Sequence, residues 1–78
     1  MARIFVRVQT DPGQVGKERP ASFTLLDRVF EVREIVDQWH GADHAYFKLM
    51  ADDGNLYVIR HDLEGDGWEL VMMEAIPR

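Results

Sequence analysis

The sequence predicts an all-β fold, a small antiparallel meander curled into an SH3-like or partly open barrel. Three observations carry this expectation. Apolar and polar residues alternate with a period of two near the N-terminus, where Ile4, Val6 and Val8 interleave with Phe5, Arg7 and Gln9. Two glycine turns, Asp52-Asp53-Gly54-Asn55 and Glu64-Gly65-Asp66-Gly67, punctuate the C-terminal half at the spacing of short hairpins. The 78 residues, 46% of them hydrophobic, suffice for one small domain over 1–78 and are too few for a doubly wound nucleotide fold.

The first alternating segment gives way to residues 11–20, DPGQVGKERP, whose two prolines and two glycines read as a flexible loop. The arginines of the first segment suggest a sheet edge, and an exposed strand there could pair with another chain, so the state expected is a monomer or a weak dimer. Residues 21–40 admit two readings. As a helix, Leu25, Val29, Val32, Val36 and Trp39 share one face, which gives an α+β alternative with a helix near 28–39. As strands, Phe23 and Leu25 alternate, Asp27-Arg28 turns the chain, and the phase slips at Ile35-Val36 as a β-bulge would make it. The β-branched Val29, Val32, Ile35 and Val36 favour the hairpin with a long, bulged second strand.

Strands follow at 46–51, 56–61 and 68–73. Phe47 and Leu49 look inward, and Tyr46 and Lys48 point to the other side. The register across Asp53-Gly54 stays open. A two-residue loop sets Met50 opposite Tyr57, whereas a three-residue loop with a glycine bulge puts Phe47 and Leu49 on the face of Tyr57 and Ile59. Trp39 and Trp68 read as core, Tyr46 and Tyr57 as more open.

Net charge is −5, unevenly spread: residues 1–33 hold six basic and four acidic groups, residues 34–78 three basic and ten acidic. Duplex-DNA binders need a basic face to displace counterions, so this balance disfavours nucleic acid and fits a protein partner. There is no cysteine, which suits a reducing compartment. The N-terminal segment has no continuous apolar run of the kind a signal peptide carries, and no window is long and apolar enough for a membrane span. The expectation is a cytoplasmic protein without a membrane partner.

Three sets of residues could carry chemistry. Trp39, Tyr46, Lys48, Tyr57 and Arg60 form an aromatic–basic set of the kind on which small barrels stack single-stranded bases. His40, Asp43, His44 and His61 are zinc-type ligands, yet His-x3-His is diagnostic only on a helix, where both rings share a face. Asp52, Asp53, Asp62, Glu64 and Asp66 sit beside glycines, where aspartate serves turn geometry. Position 71 is Val where a calcium loop would close with Glu. No phosphate loop or nucleophile elbow occurs, and Ser22 is the only serine. No catalytic residues and no cofactor are expected.

Residues 19–70 resemble a bacterial family of small domains of unknown function. The likeness is carried by Arg19-Pro20, Phe23, Val32, Glu34, Ile35, Asp37, Trp39, Tyr46-Phe47-Lys48, Gly54, Tyr57, Ile59, Asp62 and Trp68-Glu69-Leu70. Domains similar to these stand alone or are appended to the C-terminus of proteins resembling Y-family DNA polymerases. The resemblance implies an all-β module and, for the appended copies, a connection to DNA repair. The function expected is a non-enzymatic protein-interaction module. The alternatives are a single-stranded nucleic-acid binder and a small metalloenzyme using the histidine–aspartate set.

Overall fold

The computed structural model describes residues 4–14, 17–65 and 67–76 of the chain. Six strands follow one another: β1 (Ile4–Gln14), β2 (Lys17–Leu25), β3 (Arg28–His40), β4 (His44–Ala51), β5 (Leu56–Asp62) and β6 (Trp68–Glu74). Each pairs antiparallel with the next, and β1 returns to β6, so the meander is a closed barrel rather than a partly open one. Two long strands make closure possible. Residues 4–6 of β1 pair with β6, and residues 7–14 pair with β2. Residues 28–31 of β3 pair with β2, and residues 32–40 pair with β4.

The helix alternative near 28–39 is overturned. That segment is β3, and the residues of the proposed helical face are splayed, with Val29, Val36 and Trp39 all exposed. The strand register shifts between Ile35 and Asp37, the slip expected at Ile35-Val36, and again between Val32 and Glu34. Residues 11–20 also differ from expectation: β1 runs on to Gln14, and β2 starts at Lys17 and carries Arg19 and Pro20. Proline and glycine are tolerated there because the pairing is irregular, with register shifts between Gln9 and Thr10 and between Asp11 and Gln14. β1 meets a strand on either side, but through different residues, 4–6 with β6 and 7–14 with β2, so each part keeps one side unpaired among the described residues.

Two turns set the registers. Leu25 faces Arg28 across Leu26-Asp27, one residue earlier than expected, and Leu26 takes φ 57°. The β4–β5 turn is the three-residue form. Ala51 N donates to Asn55 O at 3.0 Å, Gly54 N donates to Ala51 O at 3.0 Å, and Gly54 takes φ 84°. This register sets Phe47 opposite Ile59 and Leu49 opposite Tyr57.

The interior follows from that parity. On β4, Ala45, Phe47, Leu49 and Ala51 are buried while the intervening residues face outward. Leu49, Ile59 and Phe23 are the largest fully buried side chains. Phe23, Phe30 and Tyr57 fill one part of the barrel, and Phe47 packs near Trp68 elsewhere, with ring centroids 5.7 Å apart. Trp68 is core, as its sequence context suggested.

Candidate functional site

The outer face of β3–β6 holds the best-organised set of polar and aromatic side chains. Tyr46 on β4 has Trp39 of β3 on one side and Arg60 of β5 on the other. Arg60 faces Glu69 of β6, and Glu69 faces Phe5 of β1. Trp39, Tyr46, Arg60, Glu69 and Phe5 thus form one row across the sheet. Trp39 owes its place to the bulge at Val36. Ile35 pairs with Leu49 and packs on the core, and four residues later an unbroken strand would again point inward. The extra residue turns Trp39 outward, where it is 42% exposed instead of buried as its sequence context suggested.

The row is tightly connected. Trp39 and Tyr46 stack with centroids 5.4 Å apart and planes 4° from parallel. The His44 ring lies tilted to Tyr46 with centroids 6.2 Å apart, and a Cβ on Gly41 would stand 3.8 Å from Tyr46 Cε1. Arg60 Nε donates to Glu69 Oε1 at 3.0 Å, and Nη2 lies 2.9 Å from the same oxygen. Hydrogen bonds to the Tyr46 hydroxyl first, and to Glu69 second, push the Arg60 pKa up. The guanidinium is therefore held by the Glu69 carboxylate beside the Tyr46 phenol, its charge offset locally.

Lys48 lies in the next row, between Asp37 and Val58, with Met72 beyond. This row carries no aromatic ring. Across the outer face, the cations Lys48 and Arg60, with Arg33 exposed at the bulge beside Glu34, stand among the carboxylates of Glu34, Asp37, Asp62, Glu69 and Glu74. Arg7 is opposite Thr24 of β2, away from the row, and does not extend Lys48 and Arg60 into a basic groove. Arg3 lies outside the described residues.

Tyr57 leaves the set altogether. The three-residue turn puts it inside, 2% exposed, with Phe23 at 5.1 Å and Phe30 at 5.4 Å. Its hydroxyl donates to Asp53 Oδ2 at 2.6 Å. Burial, and then this hydrogen bond, push its pKa up to about 12. At Asp53, burial works against ionisation, but hydrogen bonds from Tyr57 and Asn55 outweigh it and hold the carboxyl below its ordinary range.

The acidic residues of the other turn also serve the backbone. Asp62 Oδ1 accepts from Glu64 N at 3.0 Å and Gly65 N at 3.2 Å, which lowers its pKa. The histidine–aspartate set does not converge. His40 and His61 both face Ala45, on the side of the sheet opposite His44, which faces Asp62. His61 stacks on Trp68 at 4.2 Å. Among the described residues, no three His, Asp or Glu side chains are placed to hold a metal ion. Where β2 and β3 part, a cleft of about 410 Å³ is lined by Pro20, Val32 and Ile35 below a mixed rim of Asp11, Arg19, Arg33 and Glu34.

Glu69 and Phe5 are the members of the row that the sequence reading passed over. Counting back from the Asp62 N to Gly67 O hydrogen bond, 2.8 Å, sets His61 opposite Trp68 and Arg60 opposite Glu69. That pairing becomes readable only once the turn is placed. Among the described residues, no helix is long and apolar enough to cross a membrane. No protein-family model, curated protein or solved structure matches this chain.

Proposed function

We propose that this barrel is a non-enzymatic protein-interaction module whose contact surface is the row Trp39–Tyr46–Arg60–Glu69. The observation that carries the reading is the stacked, outward-facing Trp39–Tyr46 pair continuing into the Arg60–Glu69 ion pair. Trp, Tyr and Arg dominate the energetics of protein interfaces, because they supply large rigid area with polar tips. Their positions here are already fixed by cross-strand contacts, so little side-chain entropy remains to be lost on binding.

Single-stranded nucleic acid is the second reading, favoured by the exposed Trp39 ring. It is weaker, since Arg60 is paired and the surrounding face is acidic. A partner in DNA repair or another nucleic-acid process is what the resemblance implies for the copies appended to polymerase-like proteins, and the lack of cysteine suits a cytoplasmic setting.

The test is affinity capture from native lysate with and without nuclease, using wild-type chain and the Trp39→Ala/Tyr46→Ala double variant. A protein partner that survives nuclease and is lost with the double variant is the expected result. Equal capture by both chains sinks the assignment of the surface. Material that disappears with nuclease transfers support to the nucleic-acid reading.

A further inference from the structure

We infer that the Trp39 end of this row receives an arginine or lysine side chain from a basic, extended segment of the protein partner. The inference rests on the interaction-module reading and adds the chemistry of what binds. Trp39 is covered on one face by Tyr46 and is otherwise 42% exposed. Over residues 32–40, β3 pairs with β4 alone among the described residues. The side of the indole away from Tyr46 therefore opens over an unpaired strand edge. An indole face attracts a cation through its quadrupole, more strongly than the rings of Tyr or Phe do.

A carboxylate stands beside it. Asp37 lies two residues earlier on the same outward side, is exposed, and accepts from Gln38 N at 2.8 Å through Oδ1. Its register partner Lys48 is the nearest competing cation by position, while Arg60 is engaged by Glu69. Beyond this pair, Glu34, Asp62 and Glu74 outnumber Arg33, exposed beside Glu34, and keep the outer face acidic. Such a face attracts a basic peptide and repels a phosphate backbone. The bulges at Arg33 and Val36 leave only residues 37–40 as regular edge, too short for a long added strand. Side-chain recognition, with at most a short main-chain pairing, is what the edge permits.

The experiment uses the full chain and three fluorescent probes: a short arginine–glycine peptide, a glutamate–glycine peptide of equal length, and a single-stranded oligothymidylate. Anisotropy is followed at low and physiological salt. Saturable binding of the arginine peptide alone, weakening with salt, is the expected result. Trp39→Ala should weaken it by roughly two- to fivefold, the size of an exposed cation–π contact. Asp37→Asn should weaken it by about twofold and reduce the salt dependence. Both variants should keep a cooperative thermal melt, so that lost binding is not lost fold.

Affinity unchanged in Trp39→Ala, preference for the oligonucleotide, or no saturable binding would each overturn the inference. Failure here is separable from failure of the broader reading. A lysate partner lost with the Trp39→Ala/Tyr46→Ala variant, yet not displaced by the arginine peptide, leaves the interaction module standing and removes the basic segment.

Discussion

Inside the barrel, Phe23, Phe30 and Tyr57 lie 5.1–5.4 Å apart at interplanar angles of 22°, 62° and 44°. Outside, Trp39 and Tyr46 lie at a similar distance, 5.4 Å, with planes 4° apart. The inner rings are enclosed on all sides, and their one polar atom is spent on Asp53. The outer rings keep an exposed indole and a phenol tied to Arg60. One cluster excludes water and holds the fold; the other faces solvent, where the proposed partner would meet it. What separates them is strand parity, since Tyr46 and Tyr57 sit on adjacent, paired strands and face opposite ways.

The largest effect should come from breaking the inner cluster. Phe23→Ala should cost about 3–5 kcal/mol, comparable with the whole stability of a domain this small. Loss of the cooperative denaturation transition is the expected readout, and a variant that melts like wild type would contradict the packing described. Tyr57→Phe keeps the ring and removes the donor to Asp53, so it should cost about 1.5–3 kcal/mol in urea denaturation. It should also change the pH profile. A tyrosine whose folded pKa is raised to about 12 stabilises the fold fully below its unfolded value near 10, and that contribution is lost as pH rises toward 12. The alkaline loss should therefore be smaller in Tyr57→Phe. Asp53 has the opposite sign: its lowered pKa stabilises above the ordinary carboxylate range and is lost on acidification through the folded value.

A smaller, favourable change is expected at the turn joining the two strands that carry Phe23 and Phe30. Leu26 holds φ 57° while 85% exposed, so its side chain is strained and makes little contact. Leu26→Gly should gain about 1 kcal/mol and raise the melting temperature, because glycine adopts that φ without clash. The smallest effect on stability belongs to the outer cluster. Trp39→Ala should cost no more than about 1 kcal/mol, the size of an exposed cross-strand aromatic pair. A large loss there would make Trp39 a structural residue and erase the contrast between the two clusters.

Much of this contrast was written in local patterns. Asp52-Asp53-Gly54 announced a turn, Phe47 and Leu49 an inward face, and the run from Val29 to Val36 a strand with a slip. All three follow from nearest-neighbour physics: glycine at positive φ, alternation, and β-branching. What stayed hidden depended on counting residues across turns and bulges. Tyr57 faces inward only because the turn has three residues instead of two, and Trp39 faces outward only because Val36 is an extra residue in β3. Each is a one-residue difference that reverses a side chain without altering composition. Residues 11–20 misled in another way, because Pro12, Gly13 and Pro20, which signal a loop, lie in paired strands whose register is irregular. The candidate site was half visible: Trp39, Tyr46 and Arg60 belong to it, Lys48 is one row away, and Tyr57 is not in it.

The closure between β1 and β6 rests on three residue pairs among the described residues, Ile4 with Leu70, Phe5 with Glu69 and Val6 with Trp68. The β4–β5 ladder, by comparison, has seven. Local opening begins where the fewest hydrogen bonds and contacts must break together, so amide protons along this seam should exchange with solvent ahead of those on β4. Parting the seam would unzip the cylinder into a twisted sheet and free the edge of β6. In that state Glu69 would keep Arg60 on one side and lose Phe5 on the other. The weakest joint of the barrel thus lies at the far end of the row, the end most distant from Trp39.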